Sequence, residues 1–186
     1  GPIKRLVGNR ETFVSQRPLA TPGEGTHFSV RTDGPVGDVT NEDYVGVMAN
    51  FANGAHGTLE ACRVINGPQC QMAFEVNGTR GALSWNFERM NEIELRLPEA
   101  GAEYDGFTVV RAGPQHPQFA DFYPGPGNGM SYEDLKMIEA YQFAKSIRGG
   151  QQHEPSFSDA LAVAEVQEAM MRSWESESWE HVVAGN

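Results

Sequence analysis

The stretch that decides the fold is DYVGVMANFANGAHGTLEACRVINGPQCQMAFEVNGTRGALSWNFERMNEIELRL, residues 43–97. In residues 44–51 every second side chain is apolar, namely Val45, Val47, Ala49 and Phe51. This alternation is typical of a strand with one buried face. Asn53-Gly54 follows and predicts a type I′ hairpin turn, because both central positions of that turn need positive φ.

The same alternation recurs through the rest of the stretch, in residues 55–64, 70–76, 83–87 and 93–97. Asn77-Gly78 predicts a second tight turn. Several strands joined by short turns form an antiparallel meander, which needs a cover on at least one face. We therefore expect residues 43–97 to form the centre of a mostly antiparallel sheet.

The segments around the meander add strands and a long loop. Residues 3–17 predict an opening strand, and residues 107–110 predict a short additional one. Residues 18–39 contain Thr21-Pro22-Gly23 and Asp33-Gly34-Pro35 and predict a loop, with a brief extended piece at Phe28 and Val30.

Two helices are predicted near the end of the chain. Ser131 is placed to cap the first helix, and Gly149-Gly150 ends it. Ser156 and Asp159 have the spacing of a capping box at the start of the second. Residues 179–183 predict a final short strand. A sheet followed by helices indicates an α+β fold, an open and mostly antiparallel sheet with the helices packed on one face.

The face of the sheet opposite the helices carries Met48, Thr58 and Cys62 in this pattern. That composition is too apolar for a fully solvated face, so it predicts a subunit interface and a homo-oligomer.

Composition excludes several classes of partner. The 186 residues suit one domain, residues 1–186, and the net charge of −11 argues against nucleic acid and anionic membranes. No apolar run approaches the roughly 20 residues of a membrane-spanning helix. The first residues also lack the apolar core of a signal peptide, so we expect a cytoplasmic protein.

The sequence contains no metal-ligand pattern, nucleophile elbow or glycine-rich phosphate loop. Cys62 and Cys70 have neither zinc nor disulfide-framework spacing, which predicts a reduced pair of small core residues. We expect no metal site and no catalytic residue in this chain.

The candidate binding residues come mainly from residues 113–130, a long segment rich in proline and aromatic side chains. A loop of this length in a compact domain is usually functional or disordered, and its aromatic residues favour an ordered one. His116, beside Pro117, is placed to bind sugar hydroxyls together with Tyr123 or Tyr132. The alternative is that His116 only holds the loop in shape through hydrogen bonds.

Arg63 is the fourth candidate, because it alternates onto the apolar face of Leu59 and Ala61. A charge on such a face must be paired or must reach a polar site. Either a structural or inter-subunit ion pair or a ligand-facing role meets that requirement.

The sequence resembles the C-terminal domain of the Gfo/Idh/MocA oxidoreductases, the glucose–fructose oxidoreductase and inositol dehydrogenase family. The resemblance is carried by residues 43–63, by FEVNGTRGAL at residues 74–83, and by ERMNEIE at residues 88–94. It continues in Tyr132-Glu133-Asp134, in PSFSDAL at residues 155–161, and in Ser173 and Trp179. The pattern is most similar to members that oxidise sugars and anhydrosugars.

The resemblance implies a substrate-binding and oligomerisation domain of an NAD- or NADP-dependent sugar or polyol dehydrogenase. In that family an N-terminal Rossmann domain binds the dinucleotide and carries the catalytic lysine, and an Asp…His pair contributes to acid–base chemistry. Neither Lys136 nor Lys145 matches that lysine, because both lie in a late predicted helix. We therefore expect the chain to bind no dinucleotide by itself and the Rossmann half to lie in the same or another chain.

Two other functions remain open. One is a non-catalytic scaffold that dimerises through its sheet, and the other is a carbohydrate-binding subunit built on the aromatic loop. A G-x-G-x-x-G turn encoded upstream of Gly1 favours the dehydrogenase. A native start at Gly1 favours the scaffold, and sugar binding by this chain alone favours the carbohydrate-binding subunit.

Overall fold

A computed structural model describes residues 1–19, 33–98, 101, 103, 105–123 and 125–183. The extended piece expected at Phe28 and Val30 lies outside the described residues. The chain divides into two compact units, one formed by Gly1–Asn66 with Pro155–Asn186 and the other by Gly67–Glu154.

In chain order the described strands and α-helices are β1 (Ile3–Glu11), β2 (Gln16–Pro18), β3 (Val36–Asp38), β4 (Tyr44–Phe51), β5 (His56–Cys62), β6 (Ala73–Gly78), β7 (Gly81–Asn86), β8 (Glu92–Arg96), β9 (Thr108–Arg111), α1 (Tyr132–Gly149), α2 (Phe157–Ser176) and β10 (Glu180–His181). Short 3₁₀ turns occupy Phe87–Arg89 and Phe119–Asp121.

The first unit contains a four-stranded antiparallel sheet in the order β10-β1-β4-β5, with α2 against β1. Its core consists of Leu6, Val47, Ala49 and Ala169, each less than 5% exposed. Val45 and Phe51 pack against this core, so the alternation in β4 correctly identified the buried face.

A glycine brings α2 close to the first sheet. The Gly8 amide donates to the Ser173 hydroxyl at 3.1 Å, and Ser173 is fully buried. A Cβ at residue 8 would lie 2.7 Å from the Gly46 carbonyl oxygen, so only glycine fits without a shift of the backbone.

The predicted capping box of α2 is confirmed. The Ser156 hydroxyl accepts from the amides of Ser158 and Asp159, and the Ser156 amide donates to the Asp159 carboxylate at 2.6 Å. This backbone bond lowers the pKa of Asp159. Satisfying the first free amides of the helix fixes where α2 begins.

The turn between β4 and β5 differs from the predicted type I′ turn. Gly54 has φ +88°, but Asn53 is not among the residues with positive φ. The Asn53 side chain instead accepts from the Ala55 amide at 3.1 Å, and Phe51 and Ala55 close the loop. The turn is a longer one with a single left-handed glycine, a common alternative for hairpins.

The opening strand is shorter than predicted, and the predicted loop contains a strand. The opening strand ends at Glu11, and Gln16–Pro18 then pairs with Val36–Asp38 as a separate two-stranded ribbon. Asp43 explains the break, because its buried carboxylate accepts from the Val14 amide at 2.8 Å and so holds the chain away from the sheet.

The second unit contains a separate antiparallel sheet in the order β6-β7-β8-β9. The prediction of one continuous meander is therefore wrong, because β5 and β6 belong to different sheets. Residues 63–72 connect them without a strand and contain Gly67-Pro68, with φ +118° at Gly67. A proline and a left-handed glycine interrupt strand pairing.

The second hairpin turn also lies two residues later than predicted. Asn77 and Gly78 are the last residues of β6, and Gly78 pairs with Gly81. Thr79 and Arg80 form the turn itself, and the positive φ of +145° falls on Gly81. The residue that adopts the positive φ is therefore Gly81, which follows the turn, and not Gly78.

Helix α1 begins and ends where the sequence predicts. The Ser131 amide donates to the Asp134 carboxylate at 2.7 Å, and Gly150 caps the C-terminus with φ +63°. The α+β fold class with antiparallel sheets is confirmed. Among the described residues, neither helix is long and apolar enough to cross a membrane.

The two cysteines are free, but they are not a core pair. Cys62 is half-buried at the end of β5, whereas Cys70 is exposed in the connection before β6. The prediction that both are core residues is wrong for Cys70, because the segment that carries it does not join a sheet.

Candidate functional site

Residues 112–123 and 125–131 belong to the connection between β9 and α1 in the second unit. Successive backbone bonds from His116 to Gly113, from Phe119 to His116 and from Tyr123 to Phe119 coil the loop into tight turns. Gln118 adopts a left-handed conformation with φ +70° where one turn passes into the next. The expectation of an ordered aromatic loop agrees with this structure.

His116 is held at the first of these turns. Its Nδ1 lies 3.1 Å from the buried amide nitrogen of Gly113 and 3.2 Å from the carbonyl oxygen of the same residue. That carbonyl already accepts from the His116 amide, whereas a buried amide needs an acceptor. We therefore assign Nδ1 as the acceptor, which places the proton of the neutral ring on Nε2.

An aromatic chain links His116 to Tyr123. The His116 ring meets Phe119 edge-on with centroids 6.2 Å apart, and Phe119 lies 6.0 Å from Tyr123. Tyr123 is only 8% exposed. The structure thus brings two of the four predicted site residues into one cluster.

Tyr123 also lines a cavity of about 400 Å³. The remaining wall consists of residues 88–92 before and at the start of β8, Arg111 and Ala112 at the end of β9, and Gly127 and Gly129. A volume of this size falls at the small end of ligand pockets. The cavity combines one buried aromatic ring with charged groups and glycine backbone.

The two carboxylates that line the cavity, Glu88 and Glu92, both have partners within the protein. Glu88 accepts from the amides of Cys70 and Gln69 at 3.0 and 2.7 Å, and these bonds lower the pKa of Glu88. Arg89 lies 2.9 Å from Glu94 and 3.4 Å from Glu92, and both neighbours raise the pKa of Arg89.

Tyr132 belongs to a different neighbourhood in the same unit. Its ring meets Phe87 edge-on at 6.2 Å, and Phe87 in turn meets Trp85 at 6.0 Å. The Lys136 ammonium lies 5.6 Å from the centre of the Tyr132 ring. Tyr132 is 53% exposed and is not part of the cavity wall.

Arg63 lies in the first unit and forms an ion pair. Its Nε is 2.9 Å from Asp43 Oδ1, and Arg17 Nη2 lies 2.8 Å from the same oxygen. The Val14 amide contributes most to the lowered pKa of Asp43, followed by the bonds from Arg63 and Arg17. This geometry provides the structural ion pair that the sequence allowed, and the ligand-facing role stays a prediction.

Three residues with a part in these sites have no clear signal in the sequence: Asp43, Asn91 and Arg111. Asp43 immediately precedes a strand, which is a weak signal for an anchoring carboxylate. Asn91 forms its side-chain bonds with Met130, 39 residues away, so no local pattern reveals it. Within the described part of the chain, no group of three or more potential ligands is placed to hold a metal ion.

Comparison with known proteins identifies a family and several relatives. A family described as the oxidoreductase family, C-terminal alpha/beta domain, matches residues 8–182. Levoglucosan dehydrogenase from Pseudarthrobacter phenanthrenivorans is 38% identical over 169 residues, which cover 90% of this chain and 43% of that protein.

Solved structures give the same result. A levoglucosan dehydrogenase complex with NADH and L-sorbose has a TM-score of 0.88 and 35% identity, over 99% of this chain and 46% of that one. An NAD-binding oxidoreductase from Klebsiella pneumoniae has a TM-score of 0.85 and 31% identity, over 100% and 47%. The chain thus spans less than half the length of these relatives.

Proposed function

The chain belongs to the Gfo/Idh/MocA oxidoreductase family, as its C-terminal alpha/beta domain, and we propose that it is the substrate-binding and oligomerisation part of an NAD-dependent sugar or polyol dehydrogenase. The relatives that support this proposal include structures named as complexes with NADH and with levoglucosan or L-sorbose. In our proposal the dinucleotide-binding half lies outside these 186 residues.

The described strands do not form a Rossmann site. A Rossmann site needs parallel strands and a glycine-rich turn that opens a helix. All strand pairs in the described ranges are antiparallel, and no G-x-G-x-x-G occurs in the sequence. In our proposal the nicotinamide, bound by the other half, would accept the hydride.

What this chain contributes in the proposal is substrate orientation. With Nδ1 fixed by Gly113, the His116 ring offers Nε2–H as a donor to a sugar hydroxyl. Within the same unit, Tyr123 and the hydroxyl of Tyr132 are additional candidate contacts. Arg63 belongs to the first unit and stays a separate candidate for a polar group of the substrate. Fixing hydroxyls in one pose lowers the entropic part of the barrier to hydride transfer.

The observation that carries the proposal is the cluster of His116, Phe119 and Tyr123, in which Tyr123 lines a cavity of about 400 Å³, in a chain of this family. A fixed imidazole in contact with an aromatic cluster suits a ligand with both hydroxyl groups and apolar C–H faces. The substrate class we propose is therefore a sugar, an anhydrosugar or a cyclic polyol.

The open face of the first sheet is our proposed homo-oligomer interface. Asn9, Gly46, Met48, Thr58 and Glu60 line a shallow depression of about 460 Å³ on this face. Met48 is 59% exposed although it lies in the middle of a central strand. An apolar side chain in that position favours association with a second copy.

The test is a dehydrogenase assay on the protein encoded by the complete reading frame. NADH formation is followed with levoglucosan, L-sorbose, glucose and inositol, and NADP is compared with NAD. We expect oxidation of at least one of these substrates and a dimer or larger species in light scattering. A protein that binds neither dinucleotide nor sugar would support the scaffold function instead.

A further inference from the structure

The cavity of the second unit is built on a rigid frame. Asn91, in its wall, accepts from the Met130 amide and donates to the Met130 carbonyl, each at 2.8 Å. The Asn91 carbonyl also accepts from Ala112 at 2.8 Å. Two of these bonds come from the Asn91 side chain and the third from its backbone carbonyl. Together they fasten the residue before β8 to the residue after β9 and to the end of the aromatic loop, so they hold this part of the cavity wall in place.

Some of the charged side chains that line the cavity have hydrogen-bond or ion-pair partners in the described part of the chain, and others do not. Glu88 is held by two backbone amides, and Glu92 lies 3.4 Å from Arg89. Arg111 is the cross-strand neighbour of Glu92, but no carboxylate in the described ranges lies within ion-pair distance of Arg111. The cavity wall contains two arginines. Arg89 pairs with Glu92 and Glu94, whereas Arg111 has no carboxylate partner among the described residues.

The other surfaces of the cavity suit hydroxyl groups and a carbon skeleton. Gly127 and Gly129 leave their backbone open to the cavity, because they carry no side chain. The ring of Tyr123 forms an apolar wall beside them. Arg111 is an exposed residue of this wall, and its guanidinium can bind a carboxylate through two parallel N–H donors, whereas a hydroxyl group accepts single bonds from it.

We propose that this cavity, lined by Arg111, Asn91 and Tyr123, binds a polyhydroxylated carboxylate of monosaccharide size, with Arg111 on the carboxylate. The inference rests on the proposed function and deepens it, since it assigns a chemical class of ligand to the cavity named there. Its test needs neither NAD nor hydride transfer.

Calorimetry on the protein without NAD tests the proposal with gluconate, acetate and glucose as probes. We expect saturable binding of gluconate and at least tenfold weaker binding of acetate and glucose. Arg111→Gln is expected to weaken gluconate binding about tenfold, the range for loss of a charge-assisted bond. Arg96→Gln is the matched control, because Arg96 pairs with the exposed Asp105 and lies outside the wall; it should bind normally.

Two further measurements keep the test decisive if Arg111→Gln folds poorly. Arg111→Lys keeps the charge without the planar fork and should bind gluconate several-fold more weakly than the parent. Binding to the parent should also weaken as NaCl is raised. Equal binding of all three probes, no gluconate binding, or unchanged binding by a folded Arg111→Gln protein would each overturn the proposal. Because NAD is absent, these outcomes are independent of the dehydrogenase assay.

Discussion

Asn91 and Met130 are 39 residues apart in the sequence and are joined by two hydrogen bonds of 2.8 Å. The Asn91 side-chain amide donates to the Met130 carbonyl, and its oxygen accepts from the Met130 amide. Met130 is 5% exposed, so its amide and carbonyl have few other partners available. The pair fastens the end of the aromatic loop to the start of β8, which places the loop's glycines and Tyr123 around the cavity.

Asn91→Ala is therefore expected to destabilise the second unit by about 1–3 kcal/mol, since it leaves two buried backbone groups of Met130 unpaired. Urea unfolding measures this through the fluorescence of Trp85, the one tryptophan of that unit, with Trp174 and Trp179 replaced by phenylalanine. Asn128→Ala removes an exposed side-chain bond to Gly125 in the same loop and should cost less than about 0.5 kcal/mol. Equal losses in the two variants would contradict the role of Asn91.

Gly8→Ala is expected to destabilise the first unit by about 1–3 kcal/mol, as overpacking does in a closely packed core. The added Cβ would lie 2.7 Å from the Gly46 carbonyl oxygen, and backbone must move to admit it. The control is Gly46→Ala, where the nearest atoms are the Tyr44 hydroxyl and Asn9 Oδ1, both ends of side chains that can turn aside. Chemical unfolding should rank Gly8→Ala as the more damaging change, and the reverse order would contradict the packing described.

Because the pKa of Asp43 is lowered, we expect the stability of the folded protein to decrease in acid. Its pKa is lowered in the folded protein by Val14, Arg63 and Arg17 from an ordinary value of 3.8. A lowered folded pKa stabilises the protein above pH 3.8, and this contribution is lost as pH falls toward the folded value. Asp43→Asn should thus melt at a lower temperature than the parent at pH 7, with a smaller difference at pH 3.

Glu42→Gln is the matched control for Asp43→Asn, because it changes the neighbouring carboxyl by the same chemistry. It should melt close to the parent at both pH values. A constant gap between Asp43→Asn and the parent across this range would mean that the charge of Asp43 is not what stabilises the first unit.

His116 can be tested with two substitutions that separate its roles. Asn at residue 116 places an oxygen near the position of Nδ1, so it keeps an acceptor for the Gly113 amide but lacks Nε2–H. In the complete enzyme, His116→Asn is expected to raise KM or lower kcat for the sugar about tenfold, while the melting temperature changes little. The loop-shaping role alone predicts normal kinetics for His116→Asn.

His116→Gln gives the complementary result, because its amide reaches the position of Nε2 but leaves the Gly113 amide without its acceptor. It should lower the melting temperature more than His116→Asn does. Gln115→Ala, next to His116, serves as the control for any change in this part of the loop.

Much of the fold follows from local pattern. The alternation in β4 identified Val47 and Ala49 as core residues, and the polar residues Ser131 and Ser156 marked both helix starts. These features depend on neighbours within a few positions, which is what periodicity and capping report.

The errors arise where distant contacts decide the structure. The buried Asp43 anchors Val14 and Arg17 and so ends the opening strand, although it is more than twenty residues away from both. The division into two sheets depends on how β5 and β6 find partners, and the turn sequence between them does not reveal it. Among the candidate site residues, the composition of the loop identifies His116 and Tyr123, whereas Asn91 and Arg111 are recognised only from the structure.

The most direct test of the central claim is NAD-linked sugar oxidation by the protein from the complete reading frame. We predict that the frame extends upstream with a G-x-G-x-x-G turn after a strand, and that the protein reduces NAD with a sugar, an anhydrosugar or a polyol. A complete protein that begins at Gly1, binds no NAD and oxidises no member of the panel would contradict the assignment as part of a dehydrogenase.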